Sequence, residues 1–221
     1  MLKIRWIFDS ESFFFSDSFI MKKVLFICLF IIVPFIAFII ISDQRNDDLA
    51  SADNKRIENQ VLEIKKILAK SSRYNNKIAF FIDMKIPSGK NRFFVYDLKT
   101  DKIIDKGLVA HGSGSESGVK GKLQFSNVPN SLSTSLGRYS IGCHYNGKFG
   151  KAYKLYGLDS TNNNAFKRDI VFHYYYDVPY KEKDGYICNS YGCPMVNKRY
   201  FERIAKIIDR SESDILMSIY Y

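Results

Sequence analysis

A cysteine lies directly after a glycine and before a proline in NSYGCPMV, residues 189 to 196. A histidine lies twenty residues upstream, in RDIVFHYYY. A thiol nucleophile needs a base or cation to form the thiolate, donors for an oxyanion, and access to substrate. Cys193 and His173 supply the first pair. Gly192 adopts backbone conformations closed to other residues, so the N–H groups of Gly192 and Cys193 are candidate oxyanion donors. Pro194 has no N–H and stiffens the chain just after the thiol. Ser190, just upstream, is a candidate for substrate contact or for bracing the loop, and Tyr191 is a candidate for substrate contact.

Other chemistries compete for these residues. The plainer reading of Cys193 is a small buried side chain. Cys143, His144, Cys188 and Cys193 form a conceivable zinc set, but the spacing matches no common ligand pattern and a metal is not expected. Outside the cytoplasm a Cys143–Cys188 disulfide leaves Cys193 free, whereas Cys188–Cys193 blocks it. His111, in HGSGS, is either a cleft residue or a turn residue; His144, beside Cys143, reads as structural.

The elements that must position this chemistry are mostly strands. KIAFFIDMKI, NRFFVYDLKTDKIIDKGLVAHG (folded back at KTD), KLQFSN, LGRYSIG, YKLYGL, DIVFHYYY and ILMSIYY have the apolar alternation or β-rich composition of strands, separated by turn residues. A helix is expected from Asn197 to Asp209, with Asn197 as N-cap. Between Asp53 and Arg73, Ile57, Val61, Ile64 and Leu68 recur at helical spacing. That helix either docks on the domain or stands between it and a membrane. The expected fold class is mainly β (α+β): a β-sandwich or barrel-like sheet with one or two flanking helices.

The 221-residue chain carries a net charge of +10. Its lysines and arginines are scattered and no nucleic-acid-binding motif is present, so nucleic acid is not an expected partner. Val24 to Ile41 is an eighteen-residue apolar run without charge, preceded by Lys22 and Lys23 and followed by Asp43, Asp47 and Asp48. This pattern predicts a transmembrane signal-anchor over 24–41, with residues 1–23 cytoplasmic and the rest outside. Met21 followed by two lysines has the form of a start site, which makes residues 1–20 a misplaced extension. Ala50-Ser51-Ala52 has the small-residue pattern of a cleavage site but lies far beyond the apolar run, so an anchor is favoured over a secreted form. Residues 43–75 are expected as linker and amphipathic helix, and 76–221 as the catalytic domain.

With these residues in place, the chain resembles the L,D-transpeptidases of the YkuD type, closest to the murein L,D-transpeptidase catalytic-domain branch. SYGCP matches the family's S-x-G-C motif. HGSGS, FSNVPNSLSTSLGRYSIG, GKFGKAYKLYGLDSTNNNAFKRDIVFH and SYGCPMV find counterparts in the same order. The resemblance implies Cys193 as nucleophile, His173 as general base and then acid, and an oxyanion site at Gly192 and Cys193. It implies a histidine oriented by a backbone carbonyl, and no metal or cofactor. The implied substrate is a peptidoglycan stem peptide, cleaved between its L-diamino acid and terminal D-alanine and passed to an amine or to water. Arg168 matches an arginine of the closer branch and is a candidate for substrate charge, with Ser190, Tyr191 and His111. One departure stands out: Met195 occupies the place where the wider family has an arginine. The alternatives are an L,D-carboxypeptidase or endopeptidase, a sortase-like transpeptidase (whose T-L-x-T-C pattern is missing here), and a non-catalytic wall-binding domain.

Overall fold

Nine strands pair into a single mixed sheet in the computed structural model, which describes residues 52–221. The apolar run 24–41 and the start of the chain lie outside the described residues. Among the described residues no helix is long and apolar enough to cross a membrane.

The strands are β1 (Tyr74–Asp83), β2 (Phe93–Asp97), β3 (Lys102–Gly107), β4 (Val109–Ala110), β5 (Gly137–Gly147), β6 (Gly150–Gly157), β7 (Val171–Tyr174), β8 (Met195–Val196) and β9 (Asp214–Tyr220). Their order across the sheet is β3-β2-β1-β9-β5-β6-β7-β8-β4. Pairing is antiparallel except between β1 and β9 and between β7 and β8. The two edge strands are consecutive in the chain. Gly107 pairs with Phe93 at one edge and Val109 with Val196 at the other, so only Leu108 separates them. Two residues of chain span at most about 7 Å, so the edges meet at that corner and the sheet curls round into a barrel-like form rather than splitting into the two sheets of a sandwich.

Alternation along β1 and β9 assigns their side chains to two cores. Phe80, Ile82, Met217 and Ile219 join Phe93, Tyr139, Tyr153 and Phe172 on one face. Helix α2 (Lys198–Asp209) packs Tyr200, Phe201 and Ile204 into the same core. The other face of β1 and β9, with Ala79, Phe81 and Leu216, is covered by helix α1 (residues 52–68) through Ile57, Val61 and Ile64. The amphipathic helix therefore docks on the sheet. Fully burying such an aliphatic side chain contributes about 1.5–3 kcal/mol, so its three-residue stripe is ample to hold it. Ser218 Oγ adds a 2.8 Å hydrogen bond to Gln60 on this face.

Asn197 caps α2 as its sequence predicts, accepting from the Arg199 N–H at 2.9 Å. The stretch KLQFSN departs from expectation: it pairs only through the single bridge Glu116–Leu123. Its backbone groups are met instead by loop partners, such as Gln124 N–H to Ser115 O and Ser126 N–H to Thr134 O.

Candidate functional site

The parallel pair β7–β8 is the frame of the site. His173 lies opposite Met195 in register. Two residues before each lie Val171 and Cys193, and there the Val171 N–H donates to Cys193 Sγ at 3.4 Å. The thiol in turn faces the Asp169 carbonyl at 3.6 Å. Cys193 is half-buried. Desolvation pushes its thiol above the ordinary cysteine range, opposed by the Val171 N–H and the charge of Arg168.

His173 is buried, and its ring is fixed on two sides. Its Nδ1 lies 2.9 Å from the Tyr174 carbonyl. A carbonyl only accepts, so in the neutral imidazole Nδ1 carries the proton and Nε2 is bare. Phe149, at the tip of the β5–β6 hairpin, stacks on the ring with centroids 5.4 Å apart and planes 17° from parallel. Burial lowers the histidine's pKa, and the Tyr174 carbonyl only partly opposes this. The resting pair is therefore a neutral thiol and a neutral imidazole. His173 and Cys193 share no hydrogen bond: they stand two residues apart along adjacent strands, about 6.6 Å of strand rise.

Gly192 makes the turn that presents the thiol. Its φ of +116° is closed to other residues, and a Cβ there would lie 2.8 Å from Ser133 O and 3.0 Å from Ile170 Cδ1. Its N–H, expected as an oxyanion donor, already donates to Ser190 Oγ at 3.0 Å. A buried N–H must be satisfied, and the serine two residues back does so. The Cys193 N–H, by contrast, makes no hydrogen bond among the described residues. Ser190 braces the loop at three atoms. Its N–H donates to His111 O at 2.8 Å, its carbonyl accepts from Ser113 N–H at 2.7 Å, and its hydroxyl holds Gly192.

Arg168 sits on the far side of Gly192, 3.4 Å from where a Cβ would be. It is only partly exposed and donates to Ser126 O, Ser135 Oγ, Ser131 Oγ and Ser133 O at 2.9, 3.3, 3.2 and 2.6 Å. It thus ties the 126–135 loop against the turn that carries the thiol. Tyr191 presents its ring to solvent at 78% exposure. His111 does not face the thiol: its imidazole lies between Arg92 and Glu116 in a separate cleft. Met195 is buried among Leu108, Ala110, Val178 and Ile187. The position therefore points into an apolar cluster, where a charge would be costly. Cys143, Cys188 and Cys193 are free thiols.

The profile of the L,D-transpeptidase catalytic domain family (YkuD_2) matches residues 49–217, well over half the chain. The chain belongs to this family. No functionally curated protein matches the chain. Among solved structures it is similar to the helical cell shape determining protein Pgp2 from Campylobacter jejuni in its K307A form, with 15% identity over 69% of this chain and 52% of that one, TM-score 0.42. The L,D-transpeptidase (residues 123–326) from Xylanimonas cellulosilytica DSM 15894 is similar at 12% identity, over 68% of this chain and 63% of that one, TM-score 0.35. The chain therefore spans about half of the Pgp2 chain and less than two thirds of the Xylanimonas chain.

Phe149 and the Asp169–Val171 backbone escape notice in the sequence. The signal for Phe149 is an aromatic residue at a hairpin tip, in GKFGK, where a polar one is usual. A backbone carbonyl or N–H leaves no such signal.

Proposed function

We propose that this protein is a peptidoglycan L,D-acyltransferase in which Cys193 attacks the carbonyl joining the L-diamino acid of a stem peptide to its terminal D-alanine. The observation that carries this reading is the fixed tautomer of His173 beside the thiol loop: Nδ1–H is held by Tyr174 O, leaving Nε2 as a base. Rotation of the thiol away from Val171 toward His173 precedes attack. The Cys193 proton passes to Nε2 as the C–S bond forms, and the Cys193 N–H receives the developing oxyanion. Collapse breaks the C–N bond, and the imidazolium returns its proton to the departing amine of D-alanine. The resulting thioester is then attacked by an amine of a second stem peptide, giving a cross-link, or by water, giving L,D-carboxypeptidase activity. His173 again takes the attacking group's proton, and the thiol is regenerated. Anchorage of the domain by the apolar run 24–41 belongs to the same proposal, as does contact of Arg168, Ser190 and Tyr191 with the substrate.

Two starting groups follow from this geometry. Burial keeps Cys193 as a thiol and His173 as a neutral ring, so activation is by general base rather than by a preformed thiolate–imidazolium pair. The test incubates the protein and its Cys193→Ala variant with a carbapenem and with disaccharide tetrapeptide, then reads adducts and products by intact mass. Wild type gains the adduct and releases D-alanine, and the variant does neither. D-Alanine release by Cys193→Ala rejects the nucleophile. Binding to sacculi without any adduct in wild type favours a non-catalytic wall-binding domain.

A further inference from the structure

A cleft of about 320 Å³ is lined by Arg92 and His111 among others, and Cys193 is not part of its lining. Arg92 is buried to 1% exposure. Its Nε and Nη2 donate to Val109 O at 3.0 and 2.8 Å, Nη1 donates to Ile86 O at 3.1 Å, and Nη2 also donates to His111 Nδ1 at 2.8 Å. Guanidinium has five N–H groups, so one Nη1 proton has no partner among the described residues. Because Arg92 can only donate, His111 Nδ1 accepts, and Nε2–H donates to Glu116 Oε1 at 2.7 Å. The single negative charge of Glu116 is therefore matched by Arg92 across the imidazole.

Three further cations line the cleft without a counter-charge. Lys85, Lys120 and Lys122 form no ion pair among the described residues. Lys85 rests over the Tyr221 ring at 4.5 Å. Lys120 and Lys122 are carried by a closed finger in which Ser117 Oγ donates to Lys122 O at 2.8 Å and the Lys122 N–H donates to Val119 O at 3.0 Å. Met84, Pro87, Leu123 and Tyr186 complete the lining with apolar surface. Burial pulls the Arg92 guanidinium down to about 9, opposed by the charges of Asp83 and Glu116.

We infer that this cleft is a second binding site, for an anionic carboxylate- or phosphate-bearing segment with an apolar or sugar body. The site communicates with the thiol loop. His111 O accepts from Ser190 N–H, and Glu116 accepts from Asn189 at 3.3 Å, four residues from Cys193. The inference rests on the proposed wall-polymer function for the identity of the ligand but not for the presence of the site.

The test uses the full chain carrying Cys193→Ala, so that binding is read without turnover, and titrates it with disaccharide tetrapeptide, with a glycerol-phosphate oligomer and with inorganic pyrophosphate. Saturable binding that weakens with added salt is expected for at least one probe. Changing Lys85, Lys120 and Lys122 together to Gln should weaken it about tenfold, since each exposed charge contact adds modestly. Because these are surface lysines, the melting temperature of the variant should match its parent. Muropeptide binding alone identifies a carboxylate ligand, and binding of the phosphate probes alone a phosphate-bearing one; both support the site. No saturable binding of any probe, or binding that is insensitive to the triple change, overturns it. Carbapenem acylation of the wild-type chain tests the chemistry separately, so failure of one reading is distinguishable from failure of the other.

Discussion

Replacing Gly192 by alanine tests whether the turn, rather than the cysteine alone, makes the site. At φ +116° a side chain is strained, at a cost of about 1–3 kcal/mol. The new Cβ would also meet Ser133 O at 2.8 Å and Ile170 Cδ1 at 3.0 Å. That carbonyl cannot simply withdraw, because it accepts the 2.6 Å hydrogen bond from Arg168. Overpacking of this kind costs about 1–3 kcal/mol more. The total, about 2–6 kcal/mol, corresponds to a fall in melting temperature of roughly 4–24 °C for a domain of this size. The chain can relieve the contact by moving the turn, which carries the thiol off its line to His173; a displacement of about 1 Å costs on the order of a hundredfold in rate. The assay is a thermal melt together with a time course of carbapenem acylation by intact mass. Gly185→Ala is the control: φ is +79° there, but nothing lies within 4 Å of the added carbon. It should cost about 1–2 kcal/mol and leave acylation unchanged. If Gly192→Ala melts with Gly185→Ala and acylates at the wild-type rate, the steric argument fails.

The pH profile of acylation follows from the neutral resting pair. His173 loses its proton below the ordinary histidine range and Cys193 keeps its proton above the ordinary cysteine range. The rate should therefore rise through an acidic limb, stay level across neutral pH, and rise again in alkali as free thiolate forms; a fall on the alkaline side near pH 7 would indicate an ion pair instead. Phe149→Ala removes the ring that shields His173 from water, so the acidic limb should move to higher pH while the fold survives; an unmoved limb would show that the stack does not desolvate the histidine. Arg168→Met removes four hydrogen bonds to the 126–135 loop and should cost about 2–3 kcal/mol, read as a lower melting temperature and faster proteolysis within that loop. An equally stable variant would mean that the loop is held by other contacts.

Much of the fold was legible because its signals are local. Alternating apolar residues in KIAFFIDMKI and ILMSIYY mark strands, and Asn197 before an apolar stripe marks a capped helix. The stretch KLQFSN misled because alternation reports what a segment tolerates, and no neighbouring strand is there for most of it to pair with. Residue type and order singled out Cys193, His173 and Gly192 as candidates. The occupation of the Gly192 N–H by Ser190 was not readable, since one serine hydroxyl has many available partners.

What the sequence determined by itself is therefore the inventory: a thiol, an imidazole, a glycine where the chain must turn, and the strands that carry them. The tertiary structure decided the pairings. It placed the last strand, β9, between β1 and β5 in the middle of the sheet, and laid α1 across their outer face. It turned His111 away from Cys193 toward Arg92 and made Arg168 a brace. The physical reason is that side-chain periodicity encodes which face is apolar, whereas hydrogen bonds between residues far apart in the chain depend on which backbones the closing sheet brings together.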